Sequence, residues 1–575
     1  MAIALLAAFG CALAVLTVYW PSLSGGFVWD DANALRQSET IRSLYDVIVP
    51  PPGIPKFYYR PVVFLSYIAD SQVIGPQPYW FHVSSIALHL LNTVLVLALA
   101  RRWFRDDIVI AAGAALLFAV FPTHVESVVW MSGRSDLIMT TFLLIAALFH
   151  LSSWRGGTWL GATALLLAML SKETAVVGVI LFVLLEWGER RRIQPARLLP
   201  AALATLAYFA LRRIGVGSFV GGLPQQESAL NIGVDLFRAL GFYVMQSFAP
   251  WSLKPFYASV PESDLYMALG FVTPVAVAYA LWVAAQGETK AHTRTALVCL
   301  VVWFLLTLAP SLFVIIRRSA LNLLADRYLY TPSVASCMAL AWLIALLARR
   351  IGAEAGGVAA AIATFALFFG AQARAYVPVW GDDVSLWTEA AAREPGPALP
   401  QRELATALLV ANRIDDAEKA FLAALERTSD VEGRVMIYSN LGNLYRRKSQ
   451  YARAVDSFQK GIAITPHPSL FHNLGMTEIA LATRADMAGE KDLAVTHALN
   501  ARDAFSRALQ IGQVPGADHA FFQWSPSKTH ALLGQVLYSL GDKAGARSHL
   551  ETSLQMEPTG SVADVTRQYL QRLGQ

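Results

Sequence analysis

The sequence predicts an all-α protein in two parts: a polytopic bundle of membrane helices over residues 1–378, and a soluble α-solenoid over 379–575. Three observations predict it. Uncharged apolar runs recur through the first part and stop near residue 378. Only 15% of the chain is charged and 55% is hydrophobic, whereas a soluble domain carries roughly 25% charged residues. In the second part, small and apolar residues recur at a period of about 34.

A membrane-crossing helix needs about 20 apolar residues. Runs of this kind lie near 2–20, 82–100, 107–122, 137–153, 156–171, 174–188, 197–212, 265–285, 295–316, 329–348 and 356–377. They predict about eleven spans, three of them short. The first lacks a basic n-region and an A-x-A site, so it reads as a retained anchor. An amphipathic helix at 234–249, between "LPQQES" and "APWSLKP", reads as lying in the interface, with a twelfth span as the alternative. The three cysteines, Cys11, Cys299 and Cys337, all fall in apolar runs, so neither a disulfide framework nor a metal knuckle is indicated. The net charge of +5 reflects loop arginines and gives no nucleic-acid patch.

Those arginines set the orientation. "RRWFR" (101–105), "ERRR" (189–192) with Arg197, "KAHTR" (290–294) and "ARR" (348–350) share one side if the spans alternate. Basic loops mark the cytoplasm. The N-terminus is then cytoplasmic, and the long loop 21–80 and the C-terminal part are exoplasmic.

The remaining charges collect at the exoplasmic ends. "GGFVWDDANALR" supplies Asp30 and Asp31, and "YYRPVVFLSY" supplies Arg60. Pro61 disfavours helix at Arg60 and suits the first turn of a helix starting there. "FPTHVESVVWMSGRSDL" carries His124, Glu126, Arg134 and Asp136. "LSKETAVV" carries Lys172 and Glu173, and "LLADRYLYTPS" carries Asp326 and Arg327. Each has a plain structural reading: a solvated helix end, an Arg134–Asp136 or Lys172–Glu173 ion pair, a snorkelling arginine, a packed histidine. Together they place ionisable groups of both signs on one face, which marks a functional site. A carboxylate there can deprotonate a hydroxyl nucleophile. Arg and Lys can hold a phosphate. At a membrane surface the phosphate is lipid-linked, so the set fits a hydroxyl attacking a carbon that leaves a lipid phosphate.

The second part shows repeats. In "IYSNLGNLYRRKSQYARAVDSFQKGIAITPHP", Tyr438, Leu441, Gly442, Tyr445, Ala454, Phe458, Gly461 and Pro466 take the tetratricopeptide positions. Leu533, Gly534, Leu537, Ala546, Leu550 and Pro558 repeat the spacing. Leu474, Gly475, Ala501, Phe505 and Ala508 fit a repeat with an insertion, and Ala417, Phe421 and Ala424 a degenerate first one. About three to four repeats result, and stacked repeats form a concave groove for peptides or proteins.

The anchor, acidic pair, long first loop and span count resemble the GT-C class of polyprenyl-phosphate-sugar glycosyltransferases. "YYRPVVFLSY", "PTHVESVVWMSGRSDL", "SKET" and "ADRYLYTPS" are similar, in order and wording, to motifs of the transmembrane-and-tetratricopeptide-repeat O-mannosyltransferases. The resemblance covers essentially the whole chain. It departs at "PTHVES", where the family's first histidine is missing, at Ser135 for alanine, and at Asp326 for glutamate. It implies an inverting transfer of a sugar, mannose in the family, from a polyprenyl phosphate to Ser or Thr of exported proteins. Asp30, first of the acidic pair, is then the base and Asp31 the second candidate. Arg60, Lys172 and Arg327 hold the donor phosphate. His124, Glu126, Arg134, Asp136, Glu173 and Asp326 complete the candidate site. No metal ligands are assigned, although a lipid phosphate admits a divalent cation. The chain is shorter than expected of a eukaryotic member, which implies a bacterial inner membrane with repeats in the periplasm. Two alternatives stay open: a glycan or lipid acceptor, and a non-catalytic membrane-anchored scaffold.

Overall fold

The computed structural model describes residues 2–51, 58–104, 107–190, 193–217, 228–285, 291–317, 322–513 and 524–574. Arg105, Arg191, Arg192 and Lys290 of the basic loops, and 223–227 of "LPQQES", lie outside the described residues. Among the described residues every regular element is helical. The chain divides into two compact units, Met1–Arg393 and Glu394–Gln575. The expected division at 378 falls earlier. The helix Asp383–Arg393 goes with the first unit because Leu386, Trp387, Ala390 and Ala391 are buried there, with Trp387 edge-on to Trp29 at 5.2 Å.

Among the described residues, seven helices of the first unit are long and apolar enough to cross a membrane: Ile3–Ser24, Pro78–Trp103, Met131–Leu151, Pro195–Val216, Ala296–Ile316, Ser333–Arg350 and Ala355–Trp380. All seven fall among the eleven runs read from the sequence. Shorter apolar helices are Pro61–Ile74, Ile108–Ala119, Gly157–Ser171 and Asp264–Tyr279. Pro61–Ile74 was no span in that reading, but Pro61 does open its first turn, with Arg60 non-helical just before it at φ −130° and ψ 57°. The run at 174–188 becomes a 3₁₀ turn, Glu173–Val177, followed by the helix Gly178–Arg190.

Packing explains the short members. Ile108–Ala119 rises only ~18 Å, yet Ala111, Ala114, Ala115, Leu117, Phe118 and Ala119 are wholly buried. It is enclosed by Pro78–Trp103, Ser333–Arg350, Ala2–Tyr19 and Ala355–Tyr376. Gly113 allows this, since a Cβ there would meet the Ile362 side chain at 2.7 Å. The amphipathic helix expected to lie in the interface, Ala229–Phe248, packs into the unit. Its Ala239, Phe242 and Tyr243 join Tyr257, Leu308 and Ile315 in one apolar cluster. It crosses Asp264–Ala285 where Gly241 and Gly270 admit backbone contact: a Cβ on either would stand within 1.9 Å of the other helix's carbonyl oxygen. Small residues at helix crossings are how membrane helices approach closely.

The charges separate to opposite ends of these helices. At one end Arg102 pairs with Glu189 at 2.6 Å and donates to the Leu151 carbonyl at 2.5 Å. Arg197 pairs with Glu186 at 2.9 Å, and Arg349 with Asp107 at 2.6 Å. Pro78–Trp103 has 26 residues and so runs ~39 Å from that end to the other. There lie Asp30, Arg60, Glu126, Asp136, Lys172, Glu173 and Arg327.

The second unit is a run of helix pairs: Ala398–Val410 with Ile414–Arg427, Val431–Arg447 with Tyr451–Ile464, Pro468–Met487 with Lys491–Gly512, and Pro526–Ser539 with Lys543–Met556. Ser561–Gly574 closes it. The insertion read in the third repeat lengthens both its helices, to 20 and 22 residues. Gly442, Gly475 and Gly534 let paired helices touch: a Cβ at these positions would meet Phe458, Phe505 and Leu550 at 2.5, 2.7 and 2.7 Å.

Candidate active site

The acidic pair splits into two environments. Asp31 opens the helix Asp31–Glu39 and is 1% exposed. Its Oδ1 accepts from the Ser132 backbone N–H at 2.9 Å and the Ser132 hydroxyl at 2.8 Å. Its Oδ2 accepts from the Val28 N–H at 3.1 Å. These three bonds tie the loop 25–30 to the turn at Met131–Gly133. Asp30, in contrast, reaches solvent and makes no ion pair among the described residues. Protein crowds it on most sides, so burial raises its pKa, against the opposing pull of Ser132, Arg327 and Arg60. Asp31 is raised to about 7 by burial and by the charge of Asp30. An accessible carboxylate of raised basicity beside a buried, hydrogen-bonded one divides the roles: Asp30 can take a proton and Asp31 holds the loop.

The loop carries backbone strain. Trp29 has φ +57°, a left-handed conformation costing roughly 1–2 kcal/mol in an L-residue. Its ring stacks on Trp130 at 5.2 Å and 19°, and its N–H donates to Asp383 Oδ1 at 2.7 Å.

Three cations come from three segments; Arg327 and Arg60 act on the Asp30 charge, and Lys172 stands within Coulombic reach of both arginines. Arg60 forms a fork with Glu173, through Nε at 3.1 Å and Nη2 at 2.8 Å. Lys172 Nζ meets both Asp136 oxygens, at 2.7 and 2.8 Å. The Arg327 guanidinium binds Glu126 Oε1, and its own backbone N–H donates to Glu126 Oε2 at 2.8 Å. Neither structural pairing expected between sequence neighbours occurs: Asp136 goes to Lys172, and Glu173 to Arg60. The cations are within Coulombic reach of one another. Burial lowers the pKa of Lys172, Asp136 opposes, and Arg60 and Arg327 lower it further. Burial works to raise the Glu173 carboxyl, but Arg60 outweighs it and holds the group at about 2. Tyr328 sits between two of the cations, 5.6 Å from Lys172 Nζ and 5.1 Å from the Arg327 guanidinium. Trp130 flanks Arg327 at 5.1 Å.

The pairing leaves donors to spare. A guanidinium has five N–H groups, and the Glu173 fork occupies two of those of Arg60. Carboxylate partners hold the guanidinium planes in place, so their remaining edges are pre-oriented for an incoming anion.

Three candidates stand apart. Arg134 is wholly buried and ties the helix Pro61–Ala69 region to Pro78–Trp103: it pairs with Asp70 at 2.5 Å and donates to the Phe81 carbonyl at 2.7 Å. His124 is buried with Nε2 2.7 Å from Ser333 Oγ, and burial holds its pKa well below the usual range. Asp326 is buried and accepts from the Tyr257 hydroxyl at 2.7 Å; burial, with the nearby Glu126 charge, pushes its pKa well up. Sequence reasoning missed Ser132, Asp70, Tyr328, Trp29 and Asp383. Only Asp70 had a signal, an acid ending an apolar helix. A hydroxyl or a ring near a motif carries none. No cluster of metal ligands occurs among the described residues.

Residues 434–465 match the family model described as tetratricopeptide repeat. The chain is similar to protein O-mannosyl-transferases. It is 31% identical over 187 residues to Tmtc1 of Drosophila melanogaster, covering 30% of this chain and 22% of that protein. It is 30% identical over 232 residues to Tmtc2 of the same organism, covering 35% and 24%. The matches thus span about a quarter of these relatives' length. Among solved structures, ArnT from Cupriavidus metallidurans bound to undecaprenyl phosphate aligns with TM-score 0.34 at 15% identity, over 75% of this chain and 80% of that one.

Proposed function

We propose that this chain is an integral-membrane glycosyltransferase. It moves a sugar, mannose, from a polyprenyl phosphate to Ser or Thr hydroxyls of exported proteins. One observation carries the reading: an accessible carboxylate, Asp30, and three cations from separate segments meet at one end of a membrane bundle. The named activity of the similar O-mannosyl-transferases supports it. A scaffold that only anchors repeats has no use for such a cluster.

The acceptor oxygen attacks the anomeric carbon as the bond from that carbon to the phosphate oxygen breaks, on the opposite side, so configuration inverts. The acceptor proton goes to Asp30. The polyprenyl phosphate departs with its negative charge facing Arg60, Lys172 and Arg327, which stabilise it where it develops. The cluster sits exoplasmically, and the repeat unit binds the protein acceptor. In proteoliposomes with a polyprenyl-phosphate mannose and an acceptor peptide, Asp30→Asn keeps the shape and removes the proton acceptor. Turnover should fall about 10²–10⁴-fold at unchanged donor affinity. Undiminished transfer by this variant would falsify the assignment.

A further inference from the structure

The segment that follows the last apolar helix returns to the acidic loop. The Gly26 N–H donates to the Gly381 carbonyl at 2.8 Å. Two residues on, Asp383 accepts the Trp29 N–H at 2.7 Å, across 354 positions of sequence. Trp387, one turn further along the helix Asp383–Arg393, meets the Trp29 ring edge-on at 5.2 Å, and Trp380 lies 5.8 Å from Trp130. Trp29 is therefore held at its backbone by Asp383 and at its ring by Trp130 and Trp387. It is also the residue held at φ +57°, immediately before Asp30. A left-handed residue reverses the chain direction, so its conformation sets where the next side chain points. Such a backbone state in a tryptophan persists only when its surroundings over-determine it.

We infer that Asp383 is a positioning residue for Asp30: by accepting the Trp29 N–H it holds the left-handed turn that presents the Asp30 carboxylate to the open site. Trp387 and the Gly26–Gly381 bond complete the clamp. The acidic loop is thus built by both ends of the first unit, the N-terminal segment 25–30 and the helix that precedes the repeats. The inference rests on Asp30 acting as the base. An Asp carboxylate suits the task, because a charged acceptor makes a stronger bond to an N–H than a neutral one.

The test uses the full chain in proteoliposomes. Asp383→Ala removes the acceptor, whereas Asp383→Asn keeps an oxygen at the same place. Misplacing a reacting group by an ångström can cost about 100-fold, so Asp383→Ala should lower kcat about 10–100-fold with donor KM within about twofold. Asp383→Asn should recover to within about threefold of the parent, since it still offers a neutral acceptor. A second readout needs no turnover. The near-ultraviolet circular dichroism of the stacked Trp29–Trp130 pair, assigned by its loss in Trp29→Phe, should vanish in Asp383→Ala and persist in Asp383→Asn. The inference is overturned if Asp383→Ala keeps both rate and dichroism, or if the Ala and Asn variants lose both equally. If the parent chain transfers no sugar, the glycosyltransferase reading fails by itself, and the dichroism alone decides whether Asp383 sets the turn.

Discussion

Arg327→Lys separates the two jobs of this arginine. Arg327 neutralises Glu126, whose side chain is 2% exposed, and in the proposed reaction also offers its outer edge to the donor phosphate. Lysine keeps the charge beside Glu126, so the buried carboxylate is not orphaned. What it loses is the second donor and the flat face between Trp130 and Tyr328, each 5.1 Å away. A charge-assisted hydrogen bond is worth about 1.5–3 kcal/mol, and partly exposed cation–π contacts about 0.5–1 kcal/mol. The sum, ~2–4 kcal/mol, corresponds to roughly a 30- to 1000-fold loss in kcat/KM. Thermal stability should move little. Arg327→Ala behaves differently, since breaking a buried pair costs about 3–5 kcal/mol of stability. Adding Glu126→Gln to it should restore much of that stability and none of the activity. The assay is kcat/KM for the lipid-linked donor beside calorimetric unfolding, for all four proteins. If Arg327→Lys keeps kcat/KM within threefold, or if Glu126→Gln rescues the activity of Arg327→Ala, then Arg327 serves the fold and not the phosphate.

The acid limb of kcat/KM should lie above the ordinary Asp value of ~3.9, because burial raises Asp30, and raises Asp31 to about 7 with the help of its neighbour's charge. A raised pKa means the base is protonated, and idle, at mildly acidic pH; activity climbs as pH rises, and Asp31→Asn shifts the limb downward. A parent limb at pH 4 or below contradicts this. In the repeats, Gly442→Ala drives a Cβ to 2.5 Å from the Phe458 ring and should cost about 1–3 kcal/mol by overpacking, read as a lowered unfolding transition. An unchanged transition refutes the assigned register. Cysteines placed at the exposed positions Thr40 and Glu432 should react with an impermeant maleimide from the exoplasmic side, against a low background from the three buried native cysteines. Labelling of Glu432→Cys from the cytoplasmic side alone reverses the orientation.

The sequence by itself determined the helical class, the apolar runs and the repeat register. These are local properties. Apolar run length decides what can cross a membrane, Pro61 starts its helix through its own ring, and Gly442, Gly475 and Gly534 stand where facing helices must touch. The gathering of charges at one end was legible for the same reason: a helix of known rise carries its two termini to opposite faces. Partnership was not legible. Arg60 meets Glu173 and Arg327 meets Glu126 across 113 and 201 positions, and the choice depends on which helices pack together. Nor does composition tell two adjacent aspartates apart. Asp30 is open and Asp31 buried because one left-handed residue, Trp29, turns the chain between packed rings, and its backbone is held by Asp383 from the far end of the unit. Arg134 turns inward to Asp70 and away from the site for a similar reason. Side-chain direction at a chain reversal depends on contacts far away in sequence, and only the folded structure supplies them.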